Sequence, residues 1–371
     1  MNITNITLWS EAAAFPILSA LTLIPLATLV LVMLIPSPAV TLRLGFVGTI
    51  STFLLSIYLM YVFNPDQSGI QLYEHYQNLH LTYSVGVDGT NILFILLTTI
   101  LALLALIYTL TTRRVSDRTH IACLLGYEAI LIGAFTAMNA LQFWLWCFLE
   151  LIPVVVMTLR AGSGQNRRWV VALLLQHWGS GLLMVLAGFL MLGFGLMVST
   201  DVLSFDWLVL KNTDVKLEYA TLIFFLLLFG FAIRMPLFPF HAWLPVLAEQ
   251  GTVASVGIFL VSLKLGIYAT MRFLIPLLPE VAEHWAWFVV TMALISIFYG
   301  ALLALMQINF RRLLAFAIIS QTGLIVIGLF DFNTYGMEGS IILSVSFGLA
   351  TAGMLLSLGM IYKRTHTAFI P

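Results

Sequence analysis

Long apolar runs separated by short polar segments dominate the chain. Eleven runs stand out: 12–35, 40–63, 90–112, 119–138, 140–160, 169–198, 219–244, 251–275, 284–308, 313–330 and 339–362. Each approaches or exceeds the roughly 20 apolar residues an α-helix needs to cross a bilayer. A transmembrane β-barrel would show shorter segments of alternating polarity. The pattern therefore predicts an all-α polytopic membrane protein with eleven spans. The run 219–244 is interrupted by prolines. Segments 64–89 and 199–218 are the longest connections, suited to short hairpins or interfacial pieces. No large extramembrane domain is expected, so 1–371 reads as a single membrane domain.

Composition narrows the picture. The chain is 61% hydrophobic and 9% charged, where a soluble domain is about a quarter charged. Sixteen Lys and Arg balance sixteen Asp and Glu, leaving no basic excess to neutralise phosphates. A soluble enzyme, a disordered chain and a nucleic-acid binder are excluded. Cys123 and Cys147 lie in apolar runs, which argues against a disulfide framework or a cysteine metal site. The first run follows Glu11 without a basic flank, so no signal peptide is read.

Charge placement orients the spans. Arg43, then Arg113, Arg114 and Arg118, then Arg160, Arg167 and Arg168, then Arg311 and Arg312, then Lys363 and Arg364 fall in alternate connections. The intervening ones are mostly acidic, with Lys211, Lys216 and Arg272 as basic exceptions. With eleven spans every basic connection lies on one side. The positive-inside rule then puts the N-terminus outside and the C-terminus in the cytoplasm.

Ionisable groups at bilayer depth are costly and mark pathways or structural ion pairs. Glu128, Glu150, Arg234 and Lys264 lie within runs, as do His177 and His241. For any one of them the competing explanation is a satisfied contact between helices or a snorkelling side chain. Two acids and two bases on separate spans point to a hydrated polar axis. Arg234 precedes Pro236, Pro239, His241 and Pro245. Each proline removes a backbone donor, and unwound backbone at membrane depth is tolerated only where it is buried in protein or lines a water-filled cavity. A broken helix near 234–245 carrying charge is typical of transporter ion sites; an ordinary proline kink is the alternative. Trp144, Trp146, Trp169 and Trp178 fit interfacial or packing roles. Gly179 with Gly181, or Gly193 with Gly195, suits close helix packing.

At this point the chain resembles the antiporter-like membrane subunits of complex I, of the NuoM/NdhD type (NAD(P)H-quinone oxidoreductase chain 4). The resemblance rests on Gly86-Val-Asp-Gly89, Glu150-Leu-Ile-Pro153, Met235-Pro-Leu-Phe-Pro-Phe-His241-Ala-Trp-Leu-Pro245, Thr252-Val-Ala-Ser-Val256, Leu263-Lys264, Gln307 to Ala317, Ser320-Gln-Thr-Gly323 and Tyr362 to Thr367. It implies a fold of about fourteen helices built on two inverted five-helix repeats, each with a broken helix. Residues 1–112 would then be N-terminal helices, 119–275 the first repeat and 284–371 an incomplete second repeat. The remaining helices would lie on the rest of a longer chain or on another chain. The resemblance also implies a pair between a Glu on the fifth span and a Lys on the seventh, with a Lys on the eighth continuing the axis; Lys264, in the middle of 251–275, is expected to be the central titrating group. The expected proton pathway comprises Lys264, Arg234, Glu150, His241 and Glu128, the last an addition to the family pattern; an unpaired Arg at bilayer depth is costly, so Glu150 or Glu128 is expected beside Arg234. No cofactor or metal is expected on this chain; plastoquinone and iron–sulfur clusters belong to other subunits.

The departures from the family pattern are specific. The position of the family's essential Glu is Phe148, and Glu150 lies two residues on, about 200° round a helix. Arg234 stands where the family has Lys. Gln321 and Phe347 replace histidines, and Gly251 replaces a proline. This combination resembles the divergent chain 4 of the cyanobacterial complexes specialised for CO2 uptake. It implies a thylakoid location, ferredoxin- or NAD(P)H-driven plastoquinone reduction, a second antiporter-like subunit, lipids and a peripheral CO2-hydrating protein as partners. The competing functions are a subunit of a multisubunit cation/proton antiporter and a non-transporting scaffold for the peripheral protein.

Overall fold

The computed structural model describes residues 6–78, 81–111, 118–161, 166–212, 219–250 and 253–365. Among them, nine helices are long and apolar enough to cross a membrane: Ile17–Leu34, Pro38–Val62, Ile92–Leu110, Arg118–Thr136, Ala140–Arg160, Arg167–Thr200, Ala286–Leu305, Phe310–Leu329 and Thr334–Tyr362. They coincide with nine of the eleven expected runs. The other two runs form shorter helices, Ala220–Arg234 of 15 residues and Val253–Ala269 of 17 residues. The second continues through a π-helical turn, Thr270–Leu274, into Ile275–Leu277.

Local chemistry sets the boundaries. Pro38 opens its helix at the first turn, where its missing N–H is not needed. The Asn139 side chain caps the Ala140–Leu149 helix by accepting from the Leu141 and Gln142 amides, and Asn309 accepts likewise from the Arg311 amide. The expected hairpin in 64–89 forms as strands Ile70–Asn78 and Leu81–Val87, paired antiparallel, with Ile6–Leu8 alongside the first in parallel. A register shift between Gln71 and Glu74, with Leu72 at φ 53°, bends the middle strand. Segment 199–218 contributes the short helix Trp207–Asn212.

The chain divides into two compact units. The first comprises 1–153 and 189–218; the second comprises 154–188 and 219–371. The core of the first unit is the Arg118–Thr136 helix, buried from Leu124 to Thr136 without interruption. Gly126 lies against Leu29, and Gly133 lies under the Trp146 ring. In the second unit, Gly181 and Gly230 let two backbones approach: a Cβ on Gly230 would stand 2.8 Å from the Gly181 carbonyl. Of the small-residue pairs expected to pack, Gly181 does so, whereas Gly179 has nothing within 4 Å of its would-be Cβ. Gly193 lies against the Phe205 ring.

Candidate functional site

Both acids lie in the first unit. Glu128 is 1% exposed on the Arg118–Thr136 helix, and neither carboxylate oxygen has a hydrogen-bond partner among the described residues. The preceding residue, Tyr127, donates its hydroxyl to Glu150 Oε1 at 2.7 Å. Glu150 is itself fully buried. It marks the junction between Ala140–Leu149 and Leu151–Ala161. Pro153 explains the junction, because it offers no N–H to the Leu149 carbonyl one turn earlier. Phe148 is 46% exposed and stacks on Trp144 with ring centroids 5.6 Å apart. The rotation expected between 148 and 150 is thus seen as opposite burial, with Phe148 exposed and Glu150 buried.

The second unit holds the broken helix and the bases. Ala220–Arg234 stops where Pro236 cannot donate to the Ala232 carbonyl. Three substitutions in the bonding pattern compensate. The Leu237 amide donates to Ala232 O at 3.0 Å. Ile233 O accepts instead from Trp243 Nε1 at 3.0 Å. The Phe238 amide donates to Ser296 Oγ at 2.7 Å. Helical geometry resumes at Trp243–Gln250. Buried backbone groups are satisfied or expensive, so these three bonds make the break a built feature.

Arg234 ends the first half-helix. Its Nη2 donates to Ser262 Oγ at 2.8 Å, and its Cζ lies 3.8 Å from the Trp178 ring centroid. His241, 6% exposed, stacks on Phe238 and meets the Tyr299 ring edge-on at 4.9 Å. Its Nδ1 has no hydrogen-bond partner among the described residues. Lys264 is 3% exposed, with Nζ 5.7 Å from the centroid of Phe347. An aromatic face therefore stands near the ammonium.

The Val253–Ala269 helix separates two of the bases. Ser262 and Gly266 are one turn apart and face the broken helix: Ser262 holds Arg234, and a Cβ on Gly266 would stand 2.8 Å from Phe231 O and from the Met235 amide. Lys264 lies two residues from each, about 200° round the helix, and faces Thr334–Thr365. Arg234 and Lys264 are therefore on opposite sides of this helix.

Three residues escaped the sequence reading. Trp178, taken as packing, carries the Arg234 guanidinium; Ser262 fixes its edge. Arg272, read as a basic exception in a connection, is 3% exposed within the π-helical turn, where its Nε donates to the Tyr268 hydroxyl at 3.2 Å. The structure corrects that placement. Pro276 follows in a first-turn position that helices tolerate. Gly251, one of the departures, lies outside the described residues. Among the described residues no group of His, Cys, Asp and Glu is arranged to hold a metal ion.

The family described as NADH:quinone oxidoreductase/Mrp antiporter, TM matches residues 137–370. The chain is 32% identical over 361 residues to NADH-ubiquinone oxidoreductase chain 4 of Chondrus crispus, covering 95% of this chain and 72% of the relative. It is 31% identical to NAD(P)H-quinone oxidoreductase chain 4 1 of Synechococcus elongatus, covering 96% of this chain and 67% of the relative. Against NADH-quinone oxidoreductase subunit M of Rickettsia typhi it is 30% identical and spans 65% of that protein's length. A chain of respiratory complex I from Thermus thermophilus shares its structure with a TM-score of 0.84 at 28% identity, covering 95% of this chain and 73% of that one. The Mrp complex from Dietzia shares the fold at 17% identity, with a TM-score of 0.79. The matched region includes the broken helix, both short helices of the second unit and Lys264, and on these grounds the chain belongs to the NADH:quinone oxidoreductase/Mrp antiporter transmembrane family, alongside its chain 4 and subunit M members.

Proposed function

We propose that this chain is a proton-translocating subunit of an NAD(P)H:quinone oxidoreductase complex, working without a redox centre of its own. The observation that carries this reading is Lys264, buried at 3% exposure on a helix that packs against a proline-broken helix. Intramembrane ionisable groups mark ion pathways, and an ammonium, unlike a guanidinium, can release its proton. Lys264 is the loading site in this reading. His241, at the far side of the break, is the relay, since imidazole titrates near neutral pH. Arg234 cannot release a proton and acts as a fixed charge. Glu150 with Tyr127, and Glu128, serve the same pathway within the first unit.

The test is Lys264→Met in the assembled complex. Quinone-coupled proton uptake into membrane vesicles is expected to be lost, with complex assembly unchanged. Full proton uptake would sink the reading and favour the scaffold alternative, which the outward-facing Phe148 supports.

The finer reading is a cyanobacterial thylakoid complex that reduces plastoquinone and carries a peripheral CO2-hydrating protein, alongside a second antiporter-like subunit. The combination of Phe148, Arg234, Gln321 and Phe347 supports it, as does the Synechococcus relative. In this reading the Ala220–Gln250 and Val253–Leu277 stretches complete eleven crossings. The alternation of basic connections supports a cytoplasmic C-terminus.

A further inference from the structure

We propose that Trp178 is a positioning residue, which holds the Arg234 guanidinium at the broken end of its helix. The inference rests on the reading of Arg234 as a fixed charge in the proton pathway. A Cζ-to-centroid distance of 3.8 Å puts the guanidinium carbon over the indole ring, well inside the roughly 6 Å range over which a cation feels the negative face of an indole. Trp178 is 2% exposed, and that attraction strengthens as water is removed. The ring is held in turn. Trp243 meets it edge-on at 5.2 Å and 88°, a favoured arrangement of two aromatic quadrupoles. The Trp243 indole is bonded to the carbonyl of Ile233, the residue before Arg234. The path Ile233–Trp243–Trp178–Arg234 is therefore a closed ring of contacts whose two ends are adjacent in the chain. Ser262 adds the remaining restraint, accepting from the guanidinium edge. A planar cation fits between an aromatic face and a hydroxyl; an ammonium makes no comparable stack. The geometry thus accounts for arginine at this position and identifies what orients it.

Ring fluorination tests the idea, because it weakens the negative face of the indole while keeping its shape. Mono-, di- and tetrafluorotryptophan are placed at position 178 alone in the assembled complex, and proton translocation per quinone reduced is measured. The expected result is a stepwise fall reaching about fivefold, with undiminished assembly and thermal stability and no further fall in an Arg234→Gln background. Trp178→Phe, which keeps a smaller aromatic face, is expected to lie between the native residue and the fully fluorinated ring. If fluorination has no effect while Arg234→Gln lowers the ratio, the positioning role is overturned and the fixed-charge reading stands. If Arg234→Gln leaves the ratio unchanged, the fixed-charge reading fails and the positioning role fails with it.

Discussion

Glu74 shows how one residue can settle a helix end from a distance. The Ile17–Leu34 helix follows Pro16 and has no side-chain cap of its own. Glu74, on the middle strand and fully buried, supplies one: it accepts from the Leu18 amide at 2.8 Å, the Ser19 amide at 3.1 Å and the Ser19 hydroxyl. A carboxylate at a helix N-terminus is favoured by the dipole. Burial nevertheless wins over these bonds and raises the Glu74 carboxyl above its ordinary range. A raised carboxyl stabilises the folded state while it is protonated. That stability is lost as pH climbs from the ordinary carboxylate value through the raised one. Glu74→Gln cannot ionise, so its thermal stability in detergent is expected to fall less than that of the native chain across this window. Glu74→Ala leaves two amide donors without acceptors and is expected to lose about 1–3 kcal/mol at all pH values. Equal pH slopes for the native chain and the Gln variant would contradict the assignment. None of this was legible in the sequence, because the cap and the helix it serves are 56 residues apart and no local motif connects them.

At the scale of elements, hydropathy alone revealed nine helices of spanning length, because burying their backbone bonds in a bilayer requires an apolar run. The broken helix was legible too: Pro236, Pro239 and Pro245 dictate where bonding fails. What hydropathy could not report is how the freed groups are satisfied, since Trp243 and Ser296 are apolar or weakly polar residues with no marked spacing. Nor could it place Arg272, whose π-helical turn lies where prolines and a charge resemble a connection. The close approach of Val253–Ala269 to the broken helix depends on Gly266, whose would-be Cβ has Phe231 O and the Met235 amide nitrogen at 2.8 Å and Met235 Cβ at 2.9 Å. Backbone cannot rotate aside, so Gly266→Ala must push the two elements apart. It is expected to lower stability by about 1–3 kcal/mol, the range for overpacking, and to reduce assembled complex. Gly353→Ala is the control: nothing lies within 4 Å of that position in the Thr334–Thr365 helix. There alanine is expected to be neutral or to stabilise by up to about 1 kcal/mol. Thermal melting of the two variants side by side checks the contrast, and equal effects would contradict the packing argument.

At the scale of the whole molecule, members of this family serve more than one machine. The broken helix and Lys264 lie in the region matched by a family that includes both quinone oxidoreductases and Mrp antiporters, so they do not choose between them. The stretches 307–317 and 362–367 favour the oxidoreductase, and the sequence relatives bear the names of its chain 4 and subunit M. The site adds a constraint of its own. Arg234, Phe347 and the exposed Phe148 stand where the resemblance implies Lys, His and Glu, and Lys264 and His241 are present. A stand-alone antiporter must exchange protons for another cation through such groups, and loses capacity with each one removed. A subunit of a larger complex can share the pathway with neighbours and tolerate the loss. The chain is therefore expected, when tagged and purified in mild detergent, to bring down quinone-binding membrane subunits and a second antiporter-like subunit. Under the CO2-uptake reading it also brings down a peripheral CO2-hydrating protein that other chain 4 variants of the same cell do not. Recovery of Mrp-type partners instead would assign it to the antiporter. Recovery of the oxidoreductase without the peripheral protein would keep the proton-translocating role and remove the CO2-uptake specialisation.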